Sequence, residues 1–119
     1  MNISLKTVNL EVSDVSFSRQ FYANVLMMKE NAGRSHPPSF AYLESPGCAV
    51  TLTTPPDGSP VQASRSIELG FETDDLRAVR AAVEAAGVKD IRPQSMGWGD
   101  AVELRDPDGN RVIVYQFKR

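Results

Sequence analysis

The feature that most constrains this chain is a pattern that runs once and then starts again. Residues 5–12 alternate, with Val8, Leu10 and Val12 on one side and Thr7, Asn9 and Glu11 on the other. Successive side chains of a strand point to opposite faces, so this period of two predicts a strand with one buried apolar face. Asp14 follows, placed so that its carboxylate can accept from the free N–H groups of a helix start. Phe17, Phe21 and Val25, with Leu26 beside them, recur at helical spacing and predict a helix to about Leu26. Residues 31–38, with Gly33, His36, Pro37 and Pro38, predict a loop or a frayed strand. Residues 39–43 and 48–53 predict two strands joined by a turn at Ser45-Pro46-Gly47.

Residues 54–63 hold Pro55, Pro56, Gly58 and Pro60 and predict a linker. The pattern then restarts. Ile67, Leu69 and Phe71 alternate with Ser66, Glu68, Gly70 and Glu72, and Asp74 or Asp75 caps a second helix. The helix carries a stripe of Leu76, Val79, Val83 and Ala86, and Gly87 stops it. Strands are predicted near 90–94, 100–105 and 111–117, the last two joined by Asp106-Pro107-Asp108-Gly109-Asn110. Set side by side, Thr7 matches Ser66 and Thr51 matches Ile113 at an offset of about sixty residues. The chain is therefore an α+β domain made of a duplicated strand–helix–strands module, with module one near 1–57 and module two near 64–119. Each half alone would expose an apolar sheet face over a lone helix, so neither is expected to fold well independently.

At 119 residues the chain fits one domain that can bury a core without staples. A formal charge of -2 with scattered Lys and Arg argues against nucleic acid as a partner. The single cysteine, Cys48, excludes an internal disulfide and suits a reducing cytoplasm; it is expected to be a small buried residue. No signal-peptide core and no membrane-length apolar run is seen, so a cytoplasmic protein with no membrane partner is expected.

The stretch from Thr7 to Asp14, then Phe21-Tyr22 and Val25-Leu26, resembles the opening of the glyoxalase / bleomycin-resistance / dioxygenase family, also called the vicinal oxygen chelate superfamily. Trp98-Gly99 through Asp106-Pro107-Asp108-Gly109-Asn110-Arg111 is similar to its closing signature. The likeness covers essentially the whole chain. It implies two tandem βαβββ modules whose sheets curl into a cup with helices outside, and, as in many members, a homodimer. Open sheet edges and the Pro-rich linker favour the same pairing.

The resemblance also implies where a metal would sit in metal-dependent members: Thr7, Thr51, Ser66 and Ile113. Hydroxyls are poor ligands near neutral pH and Ile113 has no donor, so no metal and no cofactor are expected. The only histidine, His36, lies in a Pro-rich loop without partner ligands. Asp106, Asp108 and Asn110 lack the later Glu of a calcium loop and are read as turn chemistry.

Alternation places Asn9 and Glu11 with Thr7, Glu68 and Glu72 with Ser66, Thr53 with Thr51, and Tyr115 with Ile113. Glu103 joins them from the neighbouring strand. Such a cup would hold several carboxylates with few compensating cations and favour a cationic or amine-bearing small molecule. The other reading puts these glutamates at strand ends, facing solvent. Glu11 and Glu68 are the candidates if a carboxylate acts as a general base. Tyr42 and Trp98 are aromatic candidates for contact; Trp98, between Gly97 and Gly99, is presented to a pocket or a partner chain, or else packs over a strand end. The expected function is metal-free binding of a small molecule, like the drug-sequestering branch of the family. The alternatives are a lyase, isomerase or dioxygenase with a non-standard site, and a module that docks on another protein.

Overall fold

The computed structural model describes residues 1–118; Arg119, the end of the expected second module, lies outside them. The first alternating segment forms β1 (Thr7–Glu11), shorter than expected because its pairing with the later strand at residues 49–53 starts at Thr7, which leaves Leu5 80% exposed before it. A helix follows, α1 (Val15–Gln20), capped by Asp14, whose Oδ1 accepts from the Phe17 N–H at 3.0 Å. It continues as a wider π-type turn, Phe21–Val25, which carries both Phe21 and Tyr22 inward. The buried stripe is Val15, Ser18, Phe21, Tyr22 and Val25, and Phe17 is 60% exposed, contrary to its expected place on that stripe. Two positions along a helix are roughly 200° apart around it, so Phe17 cannot share the face of Val15.

The module closes with β2 (Lys29–Glu30), β3 (Phe40–Glu44) and β4 (Ala49–Thr53) in the order β1-β4-β3-β2. β1 runs parallel to β4, a pairing that requires a crossover, and the helix supplies it. Leu10, Ala41, Leu43, Val50 and Leu52 form the buried face of this sheet.

Module two repeats the plan. β5 (Glu68–Glu72) leads to α2 (Leu76–Ala85), then β6 (Arg92–Met96), β7 (Gly99–Arg105) and β8 (Arg111–Phe117), in the order β5-β8-β7-β6. Asp75, rather than Asp74, caps α2 by accepting from the Ala78 N–H at 3.1 Å. The Gln116 side chain adds a second cap, accepting from Leu76 N–H at 2.9 Å and donating to the Asp74 carbonyl at 2.8 Å. Val83 is the fully buried residue of the α2 stripe, while Ala86 is exposed. Gly87 ends the helix at φ +83°, a conformation that costs glycine nothing sterically. Leu69, Val102, Leu104, Val112 and Val114 make the buried sheet face.

The turn between β7 and β8 is built around Asp106, which is 4% exposed. Its carboxylate accepts from Asp108 N–H at 3.0 Å, Asn110 N–H at 2.8 Å and Asn110 Nδ2 at 2.9 Å. The chain gathers into two compact units, Met1–Val61 and a second beginning at Gln62, with the Pro-rich segment at the boundary. Among the described residues no helix is long and apolar enough to cross a membrane.

Candidate functional site

On the second sheet, the face turned away from Val112 and Val114 carries Arg111, Ile113, Tyr115 and Phe117 in a row along β8. Cross-strand register sets Glu68 beside Arg111, Gly70 beside Ile113 and Glu72 beside Tyr115. On the other flank Glu103 lies beside Ile113 and Gly99 beside Phe117. Gly70 has no side chain to fill its place, and a Cβ there would stand 3.4 Å from Tyr115 Cε1 and 3.8 Å from Ile113 Cγ2. The result is a hollow of ≈ 410 Å³ lined by Glu68, Gly70, Trp98, Ile113, Tyr115 and Phe117. That volume falls within the range of about 300–1,000 Å³ usual for small-molecule pockets.

Three aromatic rings wall the hollow. Trp98 meets Tyr115 with centroids 5.7 Å apart and Phe117 at 5.5 Å, and Tyr115 meets Phe117 at 5.3 Å, all edge to face. This is the favoured geometry for aromatic pairs. Trp98 and Phe117 nonetheless remain 44% and 51% exposed, so the cluster presents apolar surface rather than burying it. Gly99 fixes the Trp98 position: a Cβ at Gly99 would collide with the Gln116 carbonyl oxygen, so only glycine lets β7 approach β8 there.

The charged groups on this face are compensated, which corrects the expectation of few cations. Glu68 Oε2 lies 3.7 Å from Arg111 Nη2, and Glu103 Oε1 lies 3.6 Å from Arg105 Nη2. Glu103 Oε2 also accepts from Gln94 Nε2 at 3.4 Å. The alternation of each strand reveals its face but not the residue opposite: register brings Arg111 to Glu68, while Arg105 reaches Glu103 from two positions along the same strand. Glu72 belongs instead to a separate polar groove of ≈ 600 Å³ with Thr73, Asp74, Gln116, Phe117 and Lys118.

The candidates of module one form their own row. Asn9, Thr51 and Tyr42 lie side by side across β1, β4 and β3, and the Thr51 hydroxyl donates to Asn9 Oδ1. Tyr42 is covered by Arg34, whose guanidinium stands 5.3 Å from the ring centre and whose Nη1 donates to the Tyr42 hydroxyl at 3.3 Å. Thr7 lies beside Ala49, and exposed Glu11 lies beside Thr53 at the far end of the strand. His36 is exposed in the loop before β3, and Cys48 is half-buried, its thiol 3.6 Å from the Ala49 carbonyl oxygen.

The register also corrects the internal match. Thr51 stands beside Asn9 and Ile113 beside Gly70, so Gly70 is the counterpart of Asn9, and Glu68, not Ser66, is the counterpart of Thr7. Ser66 is exposed and precedes β5, where it pairs with no strand. The four implied metal positions therefore hold Thr7, Thr51, Glu68 and Ile113. One carboxylate beside a guanidinium, two threonine hydroxyls, that of Thr51 already given to Asn9, and an aliphatic side chain do not fit a transition metal. Among the described residues no three His, Cys, Asp or Glu side chains group to hold one.

Sequence reasoning missed Gly70, Phe117, Arg111 and Arg34. A glycine inside a strand signals close approach or an open space, and that signal was present at Gly70. The ring of Phe117 and the two arginines show their part only through the partners they meet in space.

A family model described as the Glyoxalase/Bleomycin resistance protein/Dioxygenase superfamily matches residues 4–114. Among solved structures, TnmS3, an antibiotic binding protein from Streptomyces sp. CB03234, is similar at a TM-score of 0.79 and 24% identity, with 99% of each chain covered. A lactoylglutathione lyase from Agrobacterium tumefaciens is similar at 0.75 and 19% identity, over 97% of this chain and 94% of that one. A glyoxalase/bleomycin resistance protein from Albidiferax ferrireducens T118 reaches 0.75 at 26% identity, over 96% of this chain and 98% of that one. No curated protein sequence matches the chain. At these identities the binding protein and the lyase share a fold with this chain, and a shared fold does not choose between their activities.

Proposed function

The chain belongs to the Glyoxalase/Bleomycin resistance protein/Dioxygenase superfamily, and from that premise we propose that it is a small-molecule-binding protein that holds its ligand without transforming it. The observation that carries this reading is the hollow over Gly70, walled by Trp98, Tyr115 and Phe117. An aromatic guest seated there would remove exposed ring surface from water at about 25 cal/mol per Å². The lining offers apolar walls and one carboxylate, Glu68, which stands beside Arg111 and can orient a guest. The reading includes a homodimer, since β1, β2, β5 and β6 are the outer strands of their sheets, and a cytoplasmic setting for the single thiol. A monomer mass at micromolar concentration in sedimentation would remove the dimer.

Trp98 is the only tryptophan, so its fluorescence reports on this hollow alone. Planar aromatic probes of about ten heavy atoms should quench it with Kd of roughly 10 μM to 1 mM and be recovered unchanged. Gly70→Val should abolish the response by filling the hollow while leaving Tm within a few degrees, because a β-branched residue suits a strand. Silence from every probe by both fluorescence and thermal shift would refute the binding reading, and conversion of a probe would favour an enzyme.

A further inference from the structure

The hollow over Gly70 ends on a pair of opposite charges that are near each other yet too far apart to be hydrogen-bonded. Glu68 Oε2 and Arg111 Nη2 are separated by 3.7 Å, beyond the length of an N–H···O bond. The Arg111 Nε donor is shielded from solvent and has no partner at all. Leaving such a donor unfilled is costly, and the pair is only partly exposed, at 34% for the Glu68 side chain and 39% for Arg111. Glu68 lines the hollow directly, and Arg111, just outside the lining, is the cross-strand neighbour of Glu68 and stands two positions before Ile113 on the same face of β8. Beside one end of the aromatic slot a carboxylate and a guanidinium therefore stand next to each other with no hydrogen bond between them and no net charge.

We propose that the ligand is a neutral planar heteroaromatic compound whose edge carries an adjacent N–H and C=O, the cyclic-amide arrangement. The ring lies over Gly70 between Trp98 and Ile113, its N–H donates to the Glu68 carboxylate, and its carbonyl accepts from Arg111 Nη2, the guanidinium nitrogen that faces Glu68. This rests on the binding reading above and names the ligand class for the same hollow. A cationic guest is drawn to Glu68 and repelled by Arg111, and an anionic guest meets the reverse, so full charges of either kind gain little at a balanced pair. A neutral edge with one donor and one acceptor satisfies both groups at once, and analogues that lack either leave a polar group unpaired.

The test is calorimetric titration with four probes of similar size: quinolin-2-one, N-methylquinolin-2-one, 2-naphthoate and 2-naphthylmethylammonium. Quinolin-2-one should bind roughly tenfold more tightly than each of the others, the loss expected for about one unmade hydrogen bond. Arg111→Met keeps the aliphatic stem and removes the donors, so it should abolish that margin and turn the preference to the ammonium probe, now facing an uncompensated Glu68. A Tm close to the parent protein's shows that this variant is folded. Equal affinity for all four probes would overturn the inference and leave aromatic binding intact. Tightest binding of either charged probe to the parent protein would overturn it too, and binding of none would overturn both readings.

Discussion

Two strand glycines show how one atom decides the character of this face. At Gly99 the missing Cβ is a necessity, because the Gln116 carbonyl occupies its place, and the neighbouring Trp98 is set where it meets Tyr115 and Phe117. At Gly70 the missing Cβ is an opportunity: a side chain there would make ordinary contacts, and its absence opens the hollow. Asp106 is the residue on which the adjoining turn depends. Three N–H groups converge on its buried carboxylate, so Asp106→Ala leaves them without an acceptor. The variant should lose about 3 kcal/mol of stability in urea unfolding, and a loss below about 0.5 kcal/mol would show that water replaces the carboxylate. None of this was hidden in kind. The turn was legible from Asp-Pro-Asp-Gly-Asn, whereas the Asn110 side chain closing it on Asp106 was not.

At the scale of elements, both helices begin on an aspartate, Asp14 and Asp75, each accepting from the N–H three residues on. These caps were legible because a carboxylate just before an apolar stripe meets the unpaired N–H groups of a first turn. Asp14→Ala is expected to cost about 1 kcal/mol. Asp75→Ala should cost less, because Gln116 already accepts from Leu76 N–H on the same turn. Equal losses in the two variants by chemical denaturation would show that the Gln116 contact carries no weight. Seven strands were placed to within a few residues, β2 (Lys29–Glu30) was not foreseen because two residues carry no alternation, and the early starts given to β1 and β5 share one cause. Leu5 and Ile67 continue the alternation but stand 80% and 50% exposed, outside β1 and β5. Alternation says which residues could be buried in a strand; the strand ends where partner hydrogen bonds end.

For the whole molecule, the duplication is real at the level of topology, since the orders β1-β4-β3-β2 and β5-β8-β7-β6 are the same. The chemistry of the two open faces has diverged. The first carries a satisfied polar row of Asn9, Thr51 and Tyr42 under Arg34, and the second an aromatic hollow beside an unfilled ion pair. With Thr7, Thr51, Glu68 and Ile113 at the implied ligand positions, purified protein should contain well under one Zn, Ni, Mn or Fe per chain by elemental analysis; a tightly held equivalent would show that other side chains supply the ligands. Periodicity, caps and turn residues carry the two-module plan because they are local: each depends on side-chain direction and backbone hydrogen bonding within a few residues. Register, cross-strand partners and open space are not local. A shift of two residues keeps every strand face as it was and still moves the match for Thr7 from Ser66 to Glu68. That is why the chain alone pointed to carboxylates on a face, while only the folded sheet set Arg111 beside Glu68 and left Gly70 empty between the rings.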